Sequence, residues 1–197
     1  MRNKTLVFID IETTGLDPLA GHQIIEICAI KVRSDKSRER IYYRAHPCKE
    51  IIDPAAVAVN GYDPTKWAGA CTQEALANNI GQFLNGCVPV GHNIKFDLSF
   101  IQELWKEYNI QARLDRRALD TQFLAYEHLI PLGLNSLSLD NIRRFLGWSL
   151  DGSHSASKDV EDTINLFYLL LRFSWRSWIK LWFLLQLRKA RQYVWPW

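Results

Sequence analysis

No CxxC pair occurs among the four cysteines, Cys28, Cys48, Cys71 and Cys87, and no histidines stand at a matching spacing. That excludes a zinc cage and a disulfide framework, so reduced, buried thiols are expected. The first residues carry neither a charged-then-apolar leader nor a small-residue cleavage site, and an intracellular, cytoplasmic protein is expected on that ground. No repeat or low-complexity tract interrupts the chain. Acidic residues are missing after Asp162, while Arg172, Arg176, Lys180, Arg188, Lys189 and Arg191 follow, which makes the C-terminal end strongly basic. No transmembrane segment is expected there, because each of the three basic residues near the middle would cost about 2.5 to 3.5 kcal/mol to insert. The net charge of +3 is too small to establish a nucleic-acid partner, and its distribution says more than its sum.

What remains is an ordinary globular composition, 48% hydrophobic and 23% charged, over 197 residues, enough for one domain with a full core. Apolar runs predict strands at Leu6 to Ile9, Ile24 to Val32 and Ile41 to Ala45, with connections short enough for antiparallel neighbours. A Pro/Gly-bearing loop is expected from Pro47 to Pro64. Helical spacing begins at Ala75 and ends at Leu84; a short buried strand, Val88 to Val90, follows, then a helix from about Asp97 to Tyr108. A further strand near Ala118 precedes helices at Thr121 to Leu129, Ser136 to Phe145 and Ser157 to about Leu171. This order predicts an α/β fold with a mixed central sheet, three antiparallel strands then two parallel, and helices on both faces.

Within this frame the polar residues that carry chemistry are few. Asp10 and Glu12, in FIDIETTGLDP, are two residues apart, so on a strand their carboxylates converge on one face. Like charges that close call for something positive between them, and without a Cys or His pair hard oxygen ligands favour Mg²⁺ or Mn²⁺. Taken alone, the pair equally suits a solvated strand end or helix-cap acids. Asp97, in GHNIKFDLSF, follows a buried strand end where ligands gather in α/β sheets, though by itself it also fits a helix N-terminus. The third cluster, HSASKDVEDT, sets His154 five residues before Asp159. Together, four carboxylates and a histidine are the parts of a two-metal hydrolase, in which the histidine takes a proton from the attacking water. Glu161 and Asp162 are read as solvated helix residues.

These motifs resemble the DnaQ-like DEDDh 3′-to-5′ exonucleases of the ribonuclease H-like superfamily, the group that holds the polymerase III epsilon-type proofreading enzymes and ribonuclease T. The resemblance covers Lys4 to Leu171. Asp10 and Glu12 match its first motif, Asp97 the second, and His154 and Asp159 the third; the sister subclass would put a tyrosine where Ser155 stands. It implies a two-ion Mg²⁺ site, open to Mn²⁺, in which Asp10 bridges both ions, Glu12 and Asp159 complete one, Asp97 acts through water and His154 is the general base. It also implies that Thr13, Thr14 and Gly15 offer backbone N–H groups to the terminal nucleotide, that Leu16 wedges between the last two bases and that Phe96 stacks. His92 and Asn93 would meet sugar or phosphate. The implied activity is release of nucleoside 5′-monophosphates from single-stranded or frayed DNA 3′ ends. An exoribonuclease, or a polymerase-associated nucleic-acid-binding subunit, is the alternative.

Residues 172–197 extend past the matched region and hold five of the eight tryptophans. A Trp-rich basic helix is expected there, appended to an exonuclease domain at residues 1–171. Its expected roles are packing on the domain or on a second copy as a homodimer, an extra grip on single strands, or docking to a membrane surface or a partner such as a polymerase.

Overall fold

The computed structural model describes residues 4–172 together with Ile179 and Phe183. The helix expected over 172–197 therefore lies, apart from Arg172, Ile179 and Phe183, outside the described residues. A five-stranded sheet runs through the middle: β1 (Leu6–Thr13), β2 (Ile24–Val32), β3 (Arg38–Arg44), β4 (Val88–Gly91) and β5 (Leu119–Asp120), in the order β3-β2-β1-β4-β5. The first three strands pair antiparallel, and β4 and β5 join in parallel, as the sequence predicts.

The alternation of β1 divides the core. Val7, Ile9 and Ile11 face α2 (Gln73–Leu84) and α3 (Ile94–Glu107), packing with Leu76, Ile80 and Ile101. Phe8 points the other way, against Val160, Ile164 and Phe167 of α6 (Ala156–Leu171), with its ring edge-on to Phe167 at 5.3 Å. Asp10 and Glu12 share the parity of Phe8, so they continue the face that α6 covers. A third cluster joins α4 (Thr121–Leu129), α5 (Leu139–Leu146) and α6 through Leu129, Ile142 and Leu166.

Three boundaries differ from the sequence reading in ways that matter. Strand β1 continues four residues past Ile9, because its ladder with β2 carries on through Asp10↔Cys28 and Glu12↔Glu26. The acids therefore lie in the strand, and pairing with β2 overrides their low strand propensity. Helix α3 starts three residues before Asp97, from Asn93 in a left-handed conformation (φ 67°), which sets Asp97 inside its first turn. The loop expected between Pro47 and Pro64 contains a helix, α1 (Pro54–Asn60). Its signals are the ones read there as turns. The Asp53 carboxylate accepts the Ala55 N–H at 2.8 Å, Pro54 opens the helix and Gly61 closes it at φ 65°. Among the described residues no helix is long and apolar enough to cross a membrane.

Candidate active site

Asp10, Glu12 and Asp159 each bring a carboxylate oxygen within 4.8 Å of the others. Asp10 and Glu12 come from β1, and Asp159 from the first turn of α6. Asp97 approaches from α3 and is buried; desolvation raises its pKa, against which its own backbone N–H and that of Ile11, the residue between the two strand acids, favour the ionised form. Asp97 stands in the first turn of α3, outside that group of three, and its charge acts on both Asp10 and Glu12.

The electrostatics follow from burial of like charge. Desolvation, then Asp97, Asp159 and Glu12, hold the Asp10 carboxyl well above the usual range. Burial, followed by the charges of Asp159, Glu26 and Asp97, pushes Glu12 up to about 8. Burial also raises Asp159, although Arg143 pulls it back. Hard oxygen donors that repel one another fit a divalent cation of the Mg²⁺ kind, whose charge replaces the missing counter-ion.

His154 lines a cleft of about 400 Å³ together with Asp10, Asp159, His92 and Arg143. Its backbone is left-handed (φ 63°), which costs a non-glycine residue about 1 to 2 kcal/mol, and its Nε2 lies 3.3 Å from Asp140. Strain of this kind concentrates where a side chain must be aimed. A larger apolar groove, about 680 Å³ between Leu6, Val32, Leu119, Phe123 and Leu171, contains none of the five polar residues.

Arg143 is a residue that motif reading missed. Its side chain is fully buried and donates to Asp162 (Nε, 2.8 Å), Asp140 (Nη1, 2.8 Å) and Asp159 (Nη2, 2.7 Å). Asp162 is accordingly no solvated helix residue: it is buried, and Lys158 bonds both its oxygens at 2.7 Å. Glu161 is partly exposed and pairs with Arg38 at 3.4 Å. Spacing could have hinted at the pairing, because Asp140 and Arg143 are neighbours on α5, but the partners on α6 lie beyond local pattern.

Glu26 was missed for a similar reason. It sits opposite Glu12 on β2, and one oxygen accepts the Ala156 N–H at 3.1 Å while the other meets Arg44 at 3.3 Å. Ser155, the N-cap residue of α6, makes no side-chain cap bond, so a carboxylate 130 residues away caps the helix that carries Asp159 and follows His154.

The turn after β1 is held from several sides. The register between β1 and β2 shifts between Glu12 and Thr13, passing over Ile25. The Thr13 hydroxyl donates to the Gly15 carbonyl at 2.6 Å, and the Thr14 hydroxyl accepts the Gln23 N–H at 3.0 Å, so both hydroxyls are engaged inside the fold. Asn60 donates to the Thr13 carbonyl (2.9 Å), and the Asp53 N–H to that of Thr14 (2.7 Å). A Cβ on Gly15 would lie 2.3 Å from the His22 ring, which explains glycine there. Leu16 is 78% exposed, whereas Phe96 leans on the core with its ring 5.0 Å from Phe100. Both nitrogens of His92 are engaged, with Thr121 (2.9 Å) and the Leu137 carbonyl (2.7 Å), and burial lowers its pKa. Asn93 is exposed, and its N–H donates to Asp120 at 3.1 Å.

An exonuclease family model of the ribonuclease T type matches residues 7–167. The chain is 31% identical over 172 residues to the 3′-5′ exonuclease DinG of Bacillus subtilis, covering 87% of this chain and 18% of that protein. To the DNA polymerase III subunit epsilon of Aquifex aeolicus it is 28% identical over 171 residues, which is 87% of this chain and 82% of the relative. It spans only 11% of a PolC-type DNA polymerase III from Mycoplasma pneumoniae, at 32% identity over 175 residues, or 85% of this chain. Among solved structures, E. coli Exonuclease I in complex with a dT13 oligonucleotide superposes with a TM-score of 0.73 over 86% of this chain and 41% of that one. At 22% identity that likeness establishes the fold.

Two expectations follow from this geometry. A carboxyl whose folded pKa is raised from 4.5 to about 8 loses stability for the fold as pH climbs through that window, because only the unfolded chain ionises freely. Glu12→Gln should therefore match the parent below pH 4.5 and exceed it on the order of 2 kcal/mol by pH 8, in urea titrations without divalent cation. For the trans cap, Glu26→Ala should speed amide exchange at Ala156 at least about tenfold, while Glu26→Gln, which keeps the acceptor, should leave it protected.

Proposed function

This chain belongs to the exonuclease family of the ribonuclease T type, and on that premise we propose that it is a metal-dependent 3′-to-5′ exonuclease. It releases nucleoside 5′-monophosphates from single-stranded or frayed DNA ends. The observation that carries the reading is the convergence of Asp10, Glu12 and Asp159 on one point, with Asp97 beside them and His154 on the same cleft.

Asp10, Glu12 and Asp159 would hold the metal, and Asp97, from the first turn of α3, would act on it through water. Two Mg²⁺ ions, or Mn²⁺ in their place, would supply charge neutralisation at the scissile phosphate and would make water a better nucleophile. His154 takes the proton of the attacking water, a task for which an imidazole suits neutral pH. Arg143 keeps Asp159 aimed by occupying one of its oxygens, and Glu26 seats the helix turn on which Asp159 stands.

Toward the substrate, Leu16 supplies the wedge its exposure allows, Phe96 a stacking edge, and the Thr13 to Gly15 turn its backbone. His92 acts through its bonds to Thr121 and Leu137, which position the cleft wall, and Asn93 through the helix start it opens. The relatives named above lend support to DNA as substrate. Residues 1–171 form the catalytic domain in this reading, with 172–197 as an appended basic segment that grips a partner or the strand.

Asp10→Ala should abolish Mg²⁺-dependent release of mononucleotides from a 3′ end while leaving the circular dichroism spectrum unchanged. His154→Ala should slow cleavage about 10²- to 10⁴-fold, the usual contribution of a general base. Product analysis on matched DNA and RNA oligonucleotides, labelled at either end, checks both; parental rates in the Asp10 variant would overturn the assignment.

A further inference from the structure

The apolar groove of about 680 Å³ opens beside Leu6, at the other end of β1 from Glu12. Phe123 of α4 and Leu171, the last residue of α6, line it and are 64% and 56% exposed. No apolar cluster among the described residues includes either side chain. Leu119, Leu124 and Phe167 line the same space, so the exposed pair belongs to one continuous apolar surface. A patch of that kind marks a face that something else covers.

The polar residues along the groove narrow what that is. Lys4, Arg33 and Lys36 give it a cationic rim, the first two paired with Asp115 and Glu39, and Ser34 stands among them. Asp120, the acid that lines it, is engaged by the N–H groups of Gln122 (2.8 Å) and Asn93 (3.1 Å). An apolar space edged by cations suits an indole, whose body is apolar and whose face attracts positive charge. An aliphatic occupant would gain nothing from that rim.

The chain carries indoles at this place. Helix α6 ends at Leu171 on the groove's own wall, and Trp175 follows four residues later. Four extended residues reach at most about 14 Å, and a tether that short gives an effective concentration on the order of millimolar, which favours the attached segment over a free partner. At helical spacing Trp175, Trp178, Trp182 and Leu185 share one side, and Arg172, Arg176 and Lys180 another. Ile179 and Phe183 are helical and exposed, and at 100° per residue they fall toward the basic side. A helix docked through its tryptophans requires that.

We propose that the groove is the seat of this chain's own residues 173–185, tryptophan side inward, with the basic stripe turned to solvent. The cationic rim repels that stripe and so selects the side that enters. Docked in this way the segment braces α4 against α6, and its outward charge stays available to an anionic strand or partner. The inference is independent of the nuclease reading.

The test is a double-mutant cycle in the full chain, read by thermal unfolding. Replacing a side chain that only faces water changes stability little, whereas Phe123→Ser should lower the unfolding midpoint by at least about 4 °C. In a Trp178→Ala or a Trp182→Ala background the same substitution should cost less than about 1 °C, because its partner is already gone. Acrylamide quenching of tryptophan fluorescence should rise at least about 1.5-fold in Phe123→Ser, a readout that needs no unfolding. Equal shifts from Phe123→Ser in all three backgrounds, with unchanged quenching, overturn the inference. So does a coupling that fades over a hundredfold dilution while sedimentation shows a dimer dissociating, which would give the groove to a second copy. Equal shifts together with tight binding to vesicles of phosphatidylcholine and phosphatidylglycerol would assign the tryptophans to a membrane surface and overturn it as well.

Discussion

Repulsion among carboxylates wholly or half withdrawn from water is the constraint around which this molecule is arranged. Asp10, Glu12, Asp97 and Asp159 come from three elements, and their mutual charge and desolvation oppose folding at neutral pH. One buried guanidinium offsets part of this, but Arg143 is already shared among Asp140, Asp159 and Asp162. The remainder is a standing demand for an external cation. Function and instability thus have the same source, as happens where a site is held ready for charge that arrives with its ligand.

The rest of the fold resists the collapse of this arrangement. Strand β1 pairs with β4 over Leu6 to Phe8, while the antiparallel ladder to β2 runs on past both acids and keeps Asp10 and Glu12 on one face of the sheet. Helix α3 sets Asp97 in its first turn, and α6, which carries Asp159, is capped by Glu26 from β2. The apolar packing of Phe8, Val160 and Phe167 beneath holds α6 on the sheet. The turn beyond β1 is held by Asn60 and Asp53 at the two ends of α1, the helix that sequence reading took for a loop. That short helix matters to the site because it fixes the carbonyls of Thr13 and Thr14.

Much of the architecture was legible because it rests on local period. Strand β2 and helix α4 have the limits their sequences predict, and the antiparallel pairing of β1, β2 and β3 follows from connection length. Helix α1 was missed although its signals, Asp53, Pro54 and Gly61, are local; the other errors share one cause. Strand β1 and helix α3 extend past their predicted ends through residues with poor local propensity, Asp10, Glu12 and Asn93, which partners distant in sequence hold in place. Asp162 looked solvated because charge on a long helix usually is, and its burial depends on an arginine from another helix.

The amino-acid sequence alone determined the pattern of the candidate side chains: two acids two apart, a third at a helix start, a histidine five before a fourth. Spacing along a strand or helix is a local property, so it survives in the one-dimensional record. Tertiary structure alone decided how those groups are charged, aimed and supported. The roles of Arg143 and Glu26, the outward Leu16, and the inward hydroxyls of Thr13 and Thr14 depend on distances across elements and on exclusion of water. Neither quantity has a sequence period, because each is set by where the whole chain comes to rest.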